Sequence, residues 1–312
     1  MQKKILKNKL YIYVAIITFL IMLITALDDT SLFYNIFKFI TDKNFRTNYT
    51  LAESNIRYDI SLFGVITEIL TDYEWTYDVM NIWALNIFQI LLPIFSALAC
   101  LYYYQKRNTI YKFAIYKSGN YFKSLIKYIT SDSLKMSASA FIGYLIFLLL
   151  SLLISKGNIN YTISRTFLID ILGSNFYQEY PVIYYLLSGF TKLFLVNFIY
   201  IMFSLSIIEL FAIKNNKLAF LNPFIWYYTM VLIASILTNN INENFVYLSP
   251  ALIMISDSYN NINTLKIFLL PIIFFLLSVN CLRKAGKKNE LLKNNYRNNH
   301  LQYYNIYLYF YF

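Results

Sequence analysis

Six apolar runs punctuate the chain, at about 10–27, 82–104, 134–154, 182–211, 218–237 and 265–282. Each has about the twenty residues that a helix needs to cross the hydrocarbon core of a bilayer. The pattern predicts an all-α membrane protein with about six transmembrane helices.

The polar stretches between the runs differ in sign. Residues 28–80 carry Asp28, Asp29, Asp42, Glu53, Asp59, Glu68, Asp72, Glu74 and Asp78 against only Lys38, Lys43, Arg46 and Arg57. Residues 105–133 carry Lys106, Arg107, Lys112, Lys117, Lys123 and Lys127 against the lone acid Asp132. Basic loops stay on the cytoplasmic side, so 28–80 is predicted to be external and 105–133 cytoplasmic. Lys3, Lys4, Lys7 and Lys9 before the first run, and Arg283, Lys284, Lys287 and Lys288 after the last, place both termini inside. The first run exceeds a secretory h-region and ends in Ala26-Leu27-Asp28-Asp29 without a small-residue cleavage pattern, so it is expected to remain as a span.

Smaller features fill in this frame. Leu62 to Leu70 has helical apolar spacing and predicts a short external helix. The second run contains Asn86, Gln89 and Pro93, a composition that suits interhelical packing and a proline kink. Ser131-Asp132-Ser133 reads as an N-cap for the third span. Residues 155–181 are expected outside, with an interfacial helix near Phe167 to Leu172. The run 182–211 is long enough for one tilted span, or for a short external helix followed by a span. Its Lys192 and Glu209 are expected to snorkel to the interfaces. Residues 238–264 are Asn-rich around an apolar centre at 245–255, too short to cross and broken by Pro250, so they are placed outside and partly embedded. The tail 289–312 is an Asn- and Tyr-rich cytoplasmic segment of low complexity.

The basic loop has an order of its own. Tyr111 with Ile115, Phe122 with Ile126, and Leu125 with Ile129 fall four apart, which puts apolar residues on one side of a helix and Lys112, Lys123 and Lys127 on another. Ser118-Gly119-Asn120 interrupts the pattern and predicts two short helices separated by a turn. Such a segment either lies on anionic headgroups or docks to a protein partner.

Composition narrows the function classes. The chain is 58% hydrophobic and 14% charged, with a net charge of +11; soluble domains carry about a quarter charged residues. The basic residues cluster at span ends, so the charge reports topology, and no nucleic-acid partner is expected. There is no G-x-x-x-x-G-K-[ST] phosphate loop, and His300 is the single histidine. Zinc sites of the H-E-x-x-H type and His-dependent triads are therefore excluded within this chain. No catalytic or metal-ligating residues are assigned, and an enzyme is not expected. Cys100 and Cys281 are expected to be free structural thiols.

Local sequence adds a family likeness. Tyr104-Gln105-Lys106-Arg107-Asn108-Thr109-Ile110, followed by Tyr121 to Tyr128, is similar to the charged stretch after the second span, and the Lys-Tyr run that leads to the third, in the permease subunits of bacterial type-2 ABC exporters. Tyr180-Pro181-Val182-Ile183-Tyr184-Tyr185, Lys214-Asn215-Asn216-Lys217 and Asn222-Pro223-Phe224 resemble that family around its fourth and fifth spans. The charged stretch departs from the family in lacking its acidic residue and its glycine before the threonine; Gln105 and Asn108 stand in or near those places.

The resemblance implies a multi-pass subunit of the bacterial plasma membrane, whose loop 105–133 couples to a separate cytoplasmic ATPase. That partner would bind ATP and Mg, and this chain would bind no cofactor. A second permease copy or paralogue would complete the export path. On this reading Arg107, Tyr111, Ile115, Phe122, Leu125 and Ile126 form the coupling surface, and Asn86, Gln89, Asn197 and Glu209 line the path. The competing expectation is a non-transporting immunity or sensor protein whose external acidic loop binds a peptide. An ion-coupled secondary transporter is disfavoured by the few intramembrane charges and the lack of a clear inverted repeat.

Overall fold

The computed structural model describes residues 2–28, 37–38, 40–42, 76–107, 111, 121–159, 167–173, 175–258 and 263–310. Among them the regular structure is entirely helical. In chain order the helices begin with α1 (Gln2–Asp28), α2 (Tyr77–Asn86), α3 (Phe88–Lys106) and α4 (Tyr121–Ile154). Two short turns, α5 (Ile169–Leu172) and α6 (Phe176–Glu179), lead into α7 (Pro181–Gly189). A π-helical stretch, Phe190–Val196, joins α7 to α8 (Asn197–Leu210), and α9 (Asn216–Asn240) follows. A 3-10 turn (Glu243–Leu248), α10 (Leu252–Ile255) and a second 3-10 turn (Ser256–Ser258) precede α11 (Thr264–Phe310).

Six segments are long and apolar enough to cross a membrane: Lys9–Leu27, Phe88–Lys106, Tyr121–Ile154, Pro181–Leu210, Asn216–Asn240 and Leu265–Lys288. They correspond to the six apolar runs, and among the described residues the protein is all-α with six candidate spans. Several carry an apolar stripe that the chain itself leaves uncovered, whereas Phe88–Lys106 is mostly buried, with Ile90 its one exposed large apolar residue. Ile12, Ile16, Leu20 and Ile24 mark the stripe on α1, and Ile142, Ile146, Leu149 and Leu153 on α4. Spacings of three and four define one helix face, and a continuous exposed apolar face suits contact with lipid.

The chain folds as two compact units. The first comprises 1–89, 139–192 and 254–264. Here α1 buries Val14, Thr18, Met22 and Ala26, spaced four apart and opposite its exposed stripe. Gly143 of α4 lies directly against the Ala15 carbonyl and 2.8 Å from Thr18 Cβ, measured from where its own Cβ would stand. Only a residue without a side chain permits this approach, the means by which membrane helices gain packing. The same holds at Gly189, whose Cβ would enter the ring of Tyr144. Gly189→Ala is therefore expected to cost about 1–3 kcal/mol through overpacking. A lowered unfolding midpoint of the detergent-purified variant checks this, and an unchanged midpoint contradicts it.

The second unit comprises 90–138, 193–253 and 265–312. Its α8 and α9 are joined through Ser204, whose carbonyl accepts from Asn222 Nδ2 at 2.8 Å and whose hydroxyl accepts from Trp226 Nε1 at 2.9 Å. Tyr200, Phe203 and Trp226 pack around Phe274 of α11, with centroid separations of 5.5, 4.5 and 5.1 Å. Cys100 is buried, Cys281 is half-buried, and neither is in a disulfide.

Several local expectations need correction or fall outside the described residues. The second apolar run is two helices, α2 and α3, interrupted at Ile87 rather than at Pro93. The second amphipathic piece of the basic loop and the third span are one continuous helix, α4, because the buried positions Leu125, Ile129, Asp132 and Met136 keep helical spacing through the polar stretch. Lys123, Lys127 and Lys135 are exposed on its other side. The predicted helix at Leu62 to Leu70 and the turn at Ser118-Gly119-Asn120 lie outside the described residues.

Candidate functional site

The last turn of α3 sets the site. Tyr103 and Arg107 are four apart and share a helix face, and both reach Glu209 in the last turn of α8. Arg107 Nε lies 2.7 Å from Glu209 Oε1, and the Tyr103 hydroxyl donates to the same oxygen at 2.9 Å. A carboxylate at a helix C-terminus faces the negative end of the helix dipole, so Glu209 needs this cation. Its side chain is 1% exposed. The expected snorkelling of Glu209 is thus replaced by burial against Arg107.

Just beyond Glu209 the backbone reverses. Ala212 has φ 49°, and the Ile213 amide donates back to the Ile208 carbonyl at 3.0 Å. This is the left-handed helix ending usually given to glycine, here adopted by alanine. It presents the Ile213 carbonyl to Arg107 Nη1 at 3.2 Å, while the Tyr104 hydroxyl donates to the Lys214 carbonyl. One guanidinium therefore binds both the acid and the reversed chain behind it.

Lys106, next in line, turns the other way. Its Nζ sits 3.8 Å from the centroid of the Tyr102 ring and 2.7 Å from Asp132 Oδ1. The Tyr111 hydroxyl donates to Asp132 Oδ2 at 2.8 Å, so both carboxylate oxygens are used. The Tyr111 ring stacks on Tyr128 at 4.1 Å and is tilted against Tyr103 at 5.8 Å. Asp132 is 2% exposed and lies inside α4, not at its start. The expected cap is thus a buried mid-helix acid, which reads as a cap only because serines flank it. Within this unit the stretch from Tyr103 to Tyr111 is tied to α4 through Asp132, to α8 through Glu209 and to the loop before α9.

The remaining predicted site residues are distributed as follows. Leu125 is fully buried, Tyr111 is 7% exposed, and Phe122 and Ile126 are half-buried. Phe122 lies against Gly286 of α11, where an added Cβ would stand 3.0 Å from the Phe122 Cβ. Ile115 is outside the described residues. Of the predicted path residues, Asn86 and Gln89 are half-buried in the first unit, and Asn197 and Glu209 are buried in the second. Asn197 is fully buried at the start of α8, and neither atom of its amide has a hydrogen-bond partner among the described residues. Arg107 and Glu209, predicted for different roles, are brought together.

The first unit holds a second buried polar centre that the local sequence does not announce. Lys192, in the π-helical stretch, is 0% exposed, and its Nζ lies 2.7 Å from Asp257 Oδ2. It also donates to the Met254 carbonyl at 3.1 Å and sits 4.6 Å from the Phe167 ring centroid. The Tyr184 hydroxyl faces both Asp257 Oδ1 and the Phe167 carbonyl. The predicted snorkelling of Lys192 is therefore also replaced by an internal ion pair. Asp78, counted above among the external acids, is fully buried and accepts hydrogen bonds from Tyr177 and Tyr185. Burial, and then the neighbouring Asp78, push the Tyr77 phenol well above its ordinary range, so it stays neutral.

Tyr184 and Tyr185 follow Pro181, which occupies the first turn of α7, where its missing N–H is not needed. Among the described residues, no three His, Cys, Asp or Glu side chains gather as a metal site would need. No protein family matches the chain, and no characterised protein or solved structure is significantly similar to it.

Proposed function

We propose that the protein is the membrane-spanning permease subunit of an ATP-binding-cassette exporter in a bacterial plasma membrane. The observation that carries this reading is the tethering of the basic segment. Tyr111 is fixed on Asp132, Lys106 and Arg107 are fixed on Asp132 and Glu209, and α4 begins at Tyr121 with no break before its spanning part. A force applied to residues between 111 and 121 therefore meets rigid structure on both sides. From one side it reaches α8 through Arg107, and from the other it passes directly along α4.

A segment that only rests on headgroups has no need of buried ion pairs at its root, since such pairs cost desolvation and serve mainly to fix geometry. Coupling to a moving partner does need them. Because the chain has no phosphate loop, ATP and Mg belong to that partner, a separate cytoplasmic ATPase. A second permease subunit would close the export path.

A photo-crosslinking amino acid placed at Tyr116 in native membranes tests the assignment. The expected product joins this chain to a soluble nucleotide-binding protein whose ATP hydrolysis survives mild solubilisation of the complex. Crosslinks to lipid alone, with no nucleotide-binding protein captured, would sink the reading.

A further inference from the structure

We infer that the first turns of the last span and the 3-10 turn before it form a binding site for one anionic phospholipid. This inference needs only that the helices span a membrane, and it stands independently of the exporter reading. A cavity of about 590 Å³ lies here within the second unit, between the Glu243–Leu248 turn and α11. Its size falls within the roughly 300–1,000 Å³ of small-molecule sites.

The lining is graded. At one end stand Asn242, Asn244, Tyr247 and Lys266. Lys266 Nζ lies 3.3 Å from Asn244 Oδ1 and 5.6 Å from the Tyr247 ring centroid, and Asn244 Nδ2 donates to Asn242 Oδ1 at 2.9 Å. At the other end are Leu269, Leu270 and Ile273 on α11, faced by Phe245 and Leu248.

This gradient follows the membrane normal. Lys266 sits in the first turn of the spanning segment Leu265–Lys288, and Ile273 comes two turns later, about 10 Å deeper along the helix axis. The cavity thus puts a cation, two amides and a tyrosine at headgroup level and an apolar floor at acyl level. An amphiphile in a bilayer has the same order of parts.

Charge selects the class of headgroup. Lys266 is the one charged residue of the lining, and Glu243 stands outside it. A zwitterionic headgroup would bring its own cation beside Lys266, whereas a net anion would not. A phosphodiester fits the donors of lysine and asparagine, and an acyl chain fits the apolar floor. Leu269 and Ile273 are 56% and 47% exposed, so the chain itself leaves the floor uncovered.

The test is native mass spectrometry of the detergent-purified full chain, with phosphatidylglycerol and phosphatidylcholine of equal chain length added in competition. One phosphatidylglycerol is expected to be retained at least fivefold more than phosphatidylcholine. Lys266→Ala should erase the preference while both lipids still bind weakly. Ile273→Trp, which fills the floor from a half-exposed position, should lower retention of both, with an unchanged unfolding midpoint showing that the fold survives. Soluble glycerol phosphate should not compete.

Three results would overturn the site. The first is an undiminished preference in Lys266→Ala, and the second is undiminished retention in Ile273→Trp. The third is displacement by glycerol phosphate alone, which would make it a free-anion site. Loss of a self-associated dimer in Ile273→Trp, with lipid retention unaffected, would assign the groove to a second copy of the chain instead.

Discussion

Lys192→Met is expected to destabilise the purified protein by about 3–5 kcal/mol, because it leaves the Asp257 carboxylate buried without its cation. Asp257 is 7% exposed, and Lys192 supplies it with a charge-assisted contact at 2.7 Å. The Tyr184 hydroxyl remains near it but cannot balance a full charge. The double variant Lys192→Met with Asp257→Leu removes both charges and is expected to recover most of the loss. A residue of about 1 kcal/mol should persist, since the Met254 carbonyl has lost its donor.

Unfolding curves of the wild type, the two single variants and the double variant close a double-mutant cycle. A strongly non-additive cycle is the expected result. Additive losses would mean that the two groups do not act as a pair. The stake is local as well as global, because this pair and Tyr184 hold Met254 and Asp257 to α7 and Lys192 within the first unit.

The second large effect concerns the proposed partner. The apolar residues of the basic segment divide by burial into two groups that the sequence alone does not separate. Leu125 is fully buried and Tyr111 nearly so, both within the protein's own core, whereas Ile126 is half-buried. If the segment docks in an ATPase, its contacts are made by Ile126 and by Ile115. Each such side chain supplies about 1.5–3 kcal/mol on burial before ordering costs are subtracted.

Ile115→Asp combined with Ile126→Asp should therefore weaken the complex by about a hundredfold or more, since 1.4 kcal/mol is a factor of ten. Retention of the proposed ATPase on the immobilised protein measures this. Folding should survive, as judged by an unfolding midpoint near that of the wild type. Leu125→Asp gives the contrast: it buries a charge with no partner and should abolish the folded protein. Neutralising Lys112, Lys117 and Lys123 should reduce ATPase retention far less than the double-aspartate change. The docking assignment fails if the double-aspartate variant keeps its ATPase while the lysine variant loses it.

What the sequence makes legible follows from the range of the interactions involved. The six spans are visible because each is a local property: a run of apolar residues of bilayer length needs no knowledge of its neighbours. The continuity of α4 is also local, since Leu125, Ile129, Asp132 and Met136 keep helical spacing across the lysines. It is hidden because an acid at a buried position looks polar until its partner is known.

That partner is the difficulty throughout. Asp132 is matched by Lys106 at a separation of 26 residues, Asp257 by Lys192 at 65, and Glu209 by Tyr103 at 106. Nothing in the neighbourhood of Ser131-Asp132-Ser133 distinguishes a capping acid from one that binds a distant lysine. In the same way, a lysine in a long apolar run reads as snorkelling when its counter-ion lies in a later loop. Burial at Asp78 is similarly unreadable, because the tyrosines that receive it, Tyr177 and Tyr185, come about a hundred residues later in the chain.

These separations also bear on how the protein is made. At synthesis rates of about 5–20 residues per second, the 65 residues between Lys192 and Asp257 take roughly 3–13 seconds to emerge. Through that interval Lys192 has entered a membrane span before its counter-ion exists. A charge in hydrocarbon is costly, and a long side chain answers by keeping its ammonium near the headgroups. The nascent fourth span must therefore wait at a shallow depth or a steep tilt. It settles only when the loop before the last span arrives and supplies the carboxylate. Lys106 and Arg107 face no such delay, because they lie at the end of their span and can remain in water until Asp132 and Glu209 appear. The loop between the fifth and sixth spans thus completes the insertion of the fourth, and this part of the membrane domain assembles after its own residues have emerged.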